Sequence, residues 1–182
     1  MSETRDLDAG GRRGGEPIRI RPIRPDDKAR LRAAFHRLSL RSVYFRFFSA
    51  LPDLSDAMLA YFTEVDSRDH VGLVAVEPEG DDERIVGVGR YIRTGEARAE
   101  VALAVVDDHQ GHGIGTALLD DLVAAARGNG IERFEADVLR ENRKMLEVFS
   151  HTGFPLQRSV EREVIRVTFP IRAEDRLSSP SP

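Results

Sequence analysis

The chain has 182 residues, 41% hydrophobic and 32% charged, with a net charge of -4 and no cysteine. That length suits one domain with a sizeable core. Without cysteine there can be no disulfide, thiol nucleophile or thiolate metal site, and the mildly acidic balance argues against nucleic acid or an anionic membrane as the main partner. There is no long apolar run and no signal-peptide core, so the expected location is the cytoplasm.

Residues 1–16 are polar, glycine-bearing and aperiodic, the pattern of a disordered tail. Residues 173–182, ending Ser178-Ser179-Pro180-Ser181-Pro182, read the same way, which leaves 17–172 as the domain. Ile18 to Ile23 alternates apolar with charged, as a half-solvated strand does. Pro25-Asp26-Asp27 opens a helix, with acids in its first turn and Leu31, Ala34, Phe35 and Leu38 as its apolar stripe. Ser39 to Ser49 is crowded with Tyr44, Phe45, Phe47 and Phe48. These aromatics either fill core or wall the substrate side of a sheet. Asp53 and Ser55 are cap candidates for a second helix carrying Met58, Leu59, Tyr61 and Phe62. His70 to Val76 and Arg84 to Tyr91 read as a hairpin around the polar turn Glu77 to Asp82.

Ala97 to Val106 is small and β-branched, a run that suits a strand buried on both faces. A turn from Asp107 to Gly113 leads into a helix from about Ile114 to Arg127, with Leu118, Leu119, Leu122, Val123 and Ala126 on one stripe and Gly128 and Gly130 at its end. Ile131 to Leu139 is a further strand. A helix from about Asn142 to His151 follows and stops at Gly153, and Phe154 to Leu156 and Glu163 to Phe169 close the sheet. The order is strand, two helices, three strands, helix, strand, helix, two strands. It predicts a mixed α/β (α+β) fold: a mostly antiparallel twisted sheet with one βαβ crossover, flanked by helices.

Two places carry chemistry. At the helix start, Gly111, Gly113 and Gly115 let backbone N–H groups converge on an anion, typically phosphate, although a plain tight turn would use the same residues. A P-loop is ruled out because no lysine stands between Gly115 and Thr116. The dinucleotide fingerprint fails at Thr116, yet Glu132 and Glu135 lie at roughly the distance of a ribose-binding acid, so a dinucleotide enzyme stays as an alternative. In the central strand, Glu100 shares a face with Arg98, Ala102 and Ala104. It pairs with Arg98 or Arg90, lies at a wet strand end, or acts as a base. His109 and His112 read as solvent-facing loop histidines, since only Asp107 and Asp108 are near and no ligand set forms.

Gln110-Gly111-His112-Gly113-Ile114-Gly115 after an apolar strand, with Asn142 and Gly153-Phe154 downstream, resembles the GNAT N-acetyltransferases from about Ile18 to Ile171. The resemblance implies acetyl-CoA as cosubstrate and no metal. It implies that the backbone of Leu103, Ala104 and Val105 pairs with the pantetheine arm and polarises the thioester. Gln110, Gly111, His112, Gly113, Ile114, Gly115 and Thr116 would hold the pyrophosphate. Asn142 would contact coenzyme A, serve as an ordinary N-cap, or both. Glu100 would be the general base. The chain departs from the family at Phe149, where many members carry a tyrosine that protonates the leaving thiolate. Ser150 or water remains for that role. Leu38 to Phe48 and Ala99 to Ala102 resemble the acetyltransferase domain of bacterial protein-lysine acetyltransferases, which implies a protein lysine acceptor, for example on an acyl-CoA synthetase. Small amines such as polyamines or aminoglycosides, and a coenzyme-A-binding sensor without turnover, stay open. A monomer or homodimer is expected.

Overall fold

The computed structural model describes residues 5–7 and 17–176. The strands are β1 (Arg5–Leu7), β2 (Ile18–Pro22), β3 (His70–Glu79), β4 (Asp82–Gly95), β5 (Arg98–Val105), β6 (Arg133–Leu139), β7 (Gln157–Glu161) and β8 (Val164–Pro170). They form one sheet in the order β1-β2-β3-β4-β5-β6-β8-β7. All neighbours are antiparallel except β5 and β6. The helices are α1 (Lys28–His36), α2 (Leu40–Phe47), α3 (Asp56–Thr63), α4 (Ile114–Gly128) and α5 (Arg143–Ser150). Within the stretch expected to be a tail, Arg5–Leu7 pairs with Ile18–Ile20. The rest of that stretch, and 177–182, lies outside the described residues.

The crossover helix α4 holds the sheet's first face. Its buried Leu118, Leu119, Leu122 and Ala126 recur one helical turn apart and meet the side of β5 that carries Ala99, Val101 and Leu103. Contact is close at Gly89 of β4. A Cβ there would come within 2.9 Å of Leu103 Cδ2 and 3.0 Å of Leu122 Cδ1, so only glycine lets α4 settle this low. The opposite face of β4 and β5 is covered by α1, α2 and α3 through Leu31, Phe35, Phe47 and Phe62.

Three expectations change. The aromatic stretch 39–49 contains a helix of its own, α2 (Leu40–Phe47), so three helices precede the hairpin instead of two. Ser39 caps it by accepting from the Ser42 N–H at 3.2 Å. Phe154 to Leu156 is not a strand. Phe154 is buried and stacked on Phe169, 6.3 Å between ring centroids, and the edge strand β7 begins after it. Every residue of β7 is exposed, so it carries no apolar face for a sequence pattern to show. Finally, β5 is buried on one face only: Glu100 is exposed and Ala102 and Ala104 are half-buried. The helices that should cover that face stop short of a cleft.

Candidate active site

The cleft opens where two strands part. β5 and β6 pair in parallel only at Arg98–Arg133, Ala99–Phe134 and Glu100–Glu135. Beyond Glu100, β5 stays with β4 to Val105 while β6 follows β8. Leu103, Ala104 and Val105 therefore have no strand partner on the β6 side, and that edge, apart from the Val105 carbonyl that the Gln110 side chain takes, is open to an extended ligand. The resulting cleft is about 670 Å³ and is lined by β5, the glycine loop, α2, β6 and α5. That size is ordinary for a small-molecule site.

The glycine loop forms one end of the cleft. Gly111 and Gly113 have φ of 81° and 78°, left-handed values that cost a β-carbon-bearing residue free energy. Gly113 is the N-cap of α4. No side chain caps this helix and no acid stands in its first turn, so the N–H groups at Ile114, Gly115 and Thr116 face the cleft end without a side-chain acceptor. Gln110, Gly111, Gly113, Ile114, Gly115 and Thr116 all line the cleft, whereas His112 is exposed and does not. Gln110 closes the loop onto the strand: its Nε2 donates to the Val105 carbonyl at 3.1 Å and its Oε1 accepts from Lys144 Nζ at 3.1 Å. Lys144, invisible to the motif reading, thus adds a cation beside the helix N-terminus. Asn142 caps α5 by accepting from the Met145 N–H at 3.2 Å, which leaves its amide NH₂ available to the cleft.

Glu100 stands at the fork, exposed and lining the cleft. It makes no ion pair with Arg98 or Arg90 among the described residues. Arg98 lies 3.7 Å from Glu135, and Arg90 is turned toward Phe62. The structural pairing that weighed against a chemical role is therefore not formed. The cation whose charge Glu100 favours is Arg46, on α2.

The aromatic stretch divides between both readings. Phe47 packs in the core against Phe35 and Phe62, while Phe45 and Phe48 line the cleft. Phe48 sits in the left-handed region at φ 57°, uncommon for a bulky side chain. α2 is tied to the loop after β5 by Asp107, which accepts from the Ser39 N–H at 2.9 Å and from the Ser39 and Ser42 hydroxyls at 2.8 and 3.0 Å. Burial pushes the Asp107 carboxyl up, but those bonds outweigh it and hold it below the usual carboxylate value. The wall over Glu100 and the glycine loop are thus fastened to each other.

Two further expectations need correction. His109 is not solvent-facing. It is 2% exposed, with Nδ1 2.7 Å from Asp108 and Nε2 3.1 Å from Glu77, and it fastens the loop to β3. Ser150 is turned away from the cleft, donating to the Leu146 carbonyl at 2.7 Å and accepting from Arg158 at 2.8 Å. Phe149 lies under the cleft, 1% exposed against Phe169. His151, which the motif reading passed over, does line the cleft.

A family model described as "Acetyltransferase (GNAT) family" matches residues 35–154. An acetyltransferase of Pseudomonas aeruginosa is 32% identical over 145 residues, 79% of this chain and 78% of that protein. Acetyltransferase Pat of Mycolicibacterium smegmatis is 36% identical over 143 residues, 78% of this chain but only 42% of the relative's own length. Among solved structures, the GNAT domain of S. lividans PAT superimposes with a TM-score of 0.80 at 39% identity, covering 92% of this chain and 96% of that one. At 19% identity and a TM-score of 0.67, yncA from Salmonella typhimurium, solved with its cofactor acetyl-CoA, shares the fold over 90% of this chain and 98% of that one. The mostly antiparallel sheet forked at β5 and β6, the glycine turn into α4 and these matches agree: the chain belongs to the GNAT family of acetyltransferases.

Proposed function

We propose that the protein binds acetyl-CoA in the β5–β6 cleft and transfers the acetyl group directly to a protein lysine ε-amine, with Glu100 as the general base. The observation that carries this reading is the fork. It sets an unpaired strand edge, an uncapped helix N-terminus and a carboxylate that forms no ion pair among the described residues along one cleft.

The roles follow from what each group can do. The N–H groups of Gly111 and of Gly113 to Thr116, with the Lys144 ammonium, would hold the pyrophosphate, and the Asn142 amide would hold the adjoining arm. Leu103 to Val105 would pair with the pantetheine as an added strand, and one of their N–H groups would stabilise the oxyanion formed at the thioester carbonyl. A lysine ε-amine has a pKa near about 10.4, so it arrives protonated. Glu100 takes that proton, directly or through water, and the freed amine forms the new C–N bond as the C–S bond breaks. Phe149 has no ionisable proton to give, so water in the open cleft takes the second proton from the new amide nitrogen and supplies one to the leaving thiolate. Holding both reactants together removes the entropic cost of a second encounter. The protein lysine as acceptor is supported by the resemblance of Leu38 to Phe48 and Ala99 to Ala102 to the acetyltransferase domain of bacterial protein-lysine acetyltransferases.

The direct test is acceptor-dependent release of free thiol from acetyl-CoA, with host lysate proteins and small amines as acceptors, followed by mapping of the acetylated lysines. Labelling of a few protein lysines is the expected outcome. Turnover confined to polyamines or aminoglycosides replaces the acceptor, and binding of coenzyme A without release replaces the enzyme by a sensor.

Gly113→Ala tests the loop separately. The open space around Gly113 rules out a clash, so the cost comes from its positive φ alone. We expect acetyl-CoA affinity to fall about tenfold as the loop moves off the left-handed conformation, which is about 1.4 kcal/mol by calorimetric titration. An unchanged Kd would detach the loop geometry from cofactor binding.

A further inference from the structure

A second, smaller cavity of about 50 Å³ lies under α1, α2 and α3, against the β4–β5 face. Its wall is apolar, with Leu31, Phe35, Phe62 and Ala102 among its residues, except for two arginines, Arg46 and Arg90. Arg90 is 4% exposed. Its Nη1 donates to the Phe62 carbonyl at 3.3 Å and faces His70 Nε2 at 3.1 Å, and its guanidinium lies 4.3 Å over the Phe62 ring. As the acceptor of that contact, His70 is neutral at Nε2; burial and the Arg90 charge both hold its pKa below the usual value. The Arg46 guanidinium lies 5.1 Å over the Phe47 ring and makes no hydrogen bond among the described residues. Neither arginine has a carboxylate in an ion pair among the described residues.

That is costly. Two cations share an apolar wall, Arg90 buried and Arg46 half-buried with only the unbonded charge of Glu100 to favour it, so they lose solvation and repel each other. Burial, then the Arg46 charge, presses the Arg90 guanidinium down to about 9. Elsewhere the fold treats a buried arginine differently: Arg21 is paired with both Asp27 and Glu83. At Arg46 and Arg90 no carboxylate is bonded among the described residues, and the only one whose charge reaches either of them there is Glu100, at Arg46.

The location says whose anion it is. Arg90 is opposite Ala102, which follows Glu100 by two residues on the same strand face, about 7 Å along the strand. Arg46 lines this cavity and the large cleft alike. An anion between the two guanidinium groups would therefore sit beside the place where an amine meets Glu100. We propose that Arg46 and Arg90 form a carboxylate pocket that selects acceptors bearing an acidic group close to the amine that is acetylated. This rests on the transferase reading above. The planar forks suit a carboxylate's two oxygens, and a cavity a few waters in size admits that group but not a ring. The pair also offsets the repulsion that Glu100 alone would exert on an acidic acceptor. The carboxylate has two possible sources: an Asp or Glu side chain near the target lysine of a protein, or the acid group of a small amino acid.

Thiol release from acetyl-CoA tests this with matched acceptors. Lysine peptides would carry Glu, or Gln in its place, at each position from three before to three after the lysine. Free lysine would be compared with its decarboxylated twin, 1,5-diaminopentane. We expect kcat/KM for at least one Glu peptide to exceed its Gln twin by about tenfold, mainly through KM, as charge-assisted hydrogen bonds require. In Arg46→Gln and Arg90→Gln that ratio should fall to near one, and Arg46→Lys should restore part of it. Acetyl-CoA affinity and Tm report whether each variant is folded. The wild-type ratio stands as a test even if Arg90→Gln does not fold. Preference for lysine over its twin, with no preference among peptides, assigns the pocket to small amino acids. Turnover with parity in every wild-type pair overturns the pocket, as does a preference that survives both glutamine variants. No release with any acceptor removes the transferase reading, and the pocket's role with it.

Discussion

Glu100→Gln is expected to lower kcat by about 10²–10⁴-fold while leaving the Kd for acetyl-CoA unchanged. The substitution keeps the side chain's size and removes its ability to take a proton. Glu100 is exposed at the strand fork and its carboxylate makes no hydrogen bond or ion pair among the described residues, so only its unbonded charge near Arg46 is lost. The groups that would hold the cofactor are the strand edge, the loop and Lys144, and none of them touches the carboxylate. The loss should therefore fall on kcat and kcat/KM with little change in cofactor binding. The measurement is thiol release under saturating acetyl-CoA, paired with calorimetric titration of the cofactor. Unchanged turnover with a folded variant would take Glu100 out of the mechanism. A parallel loss of acetyl-CoA affinity would make it a binding residue instead.

The second large effect belongs to stability. Asp27→Ala should lower the unfolding free energy by about 3 kcal/mol, since breaking a buried pair leaves a charge without its partner. Asp27 is fully buried. Its carboxylate accepts from Arg21 Nη1 and Nη2, both at 2.8 Å, and from the Arg24 N–H at 2.8 Å. Arg21 would retain Glu83, which keeps the loss at the lower end of the range. Burial pushes the Asp27 carboxyl up, but the bonds from Arg21 and Arg24 outweigh it, and its pKa lies below the usual 3.8. A depressed folded pKa adds stability that is fully present above about pH 4 and fades as the pH falls through the folded value. The gap between wild type and Asp27→Ala in urea unfolding should thus be widest at neutral pH and narrow below about pH 4. A gap independent of pH would mean that packing, not charge, carries the effect. Acetyl-CoA binding should survive, because Asp27 does not line the cleft.

Much of the fold was legible in the chain because it is set locally. The apolar stripe of α4 and the glycines at its start obey spacing and backbone rules that need no distant partner. β2, β3, β4 and β5 announce themselves by alternation or by apolar runs. α2 was hidden because its aromatics point in three directions, to the core, the cleft and the solvent, so no single stripe marks the helix. β7 was hidden because it is an exposed edge strand held by hydrogen bonds to β8 alone.

The sequence by itself determined the glycine turn, the cap at Asn142 and the candidate carboxylate at Glu100, since each is a matter of residue type and short spacing. Tertiary structure alone decided the rest. β5 and β6 pair for three residues and then separate because β8 claims β6, a competition between strands remote in the chain. That separation opens the edge of β5 beside Glu100, the short helices leave its face half-covered, and the fold turns Arg98 to Glu135 and Arg90 to Phe62 instead of to Glu100. It is also only the packing of α2 over β4 that brings Arg46 and Arg90 into one apolar cavity. Local patterns fix which elements form. Which charges are left without a partner depends on long-range contacts that no window of sequence contains.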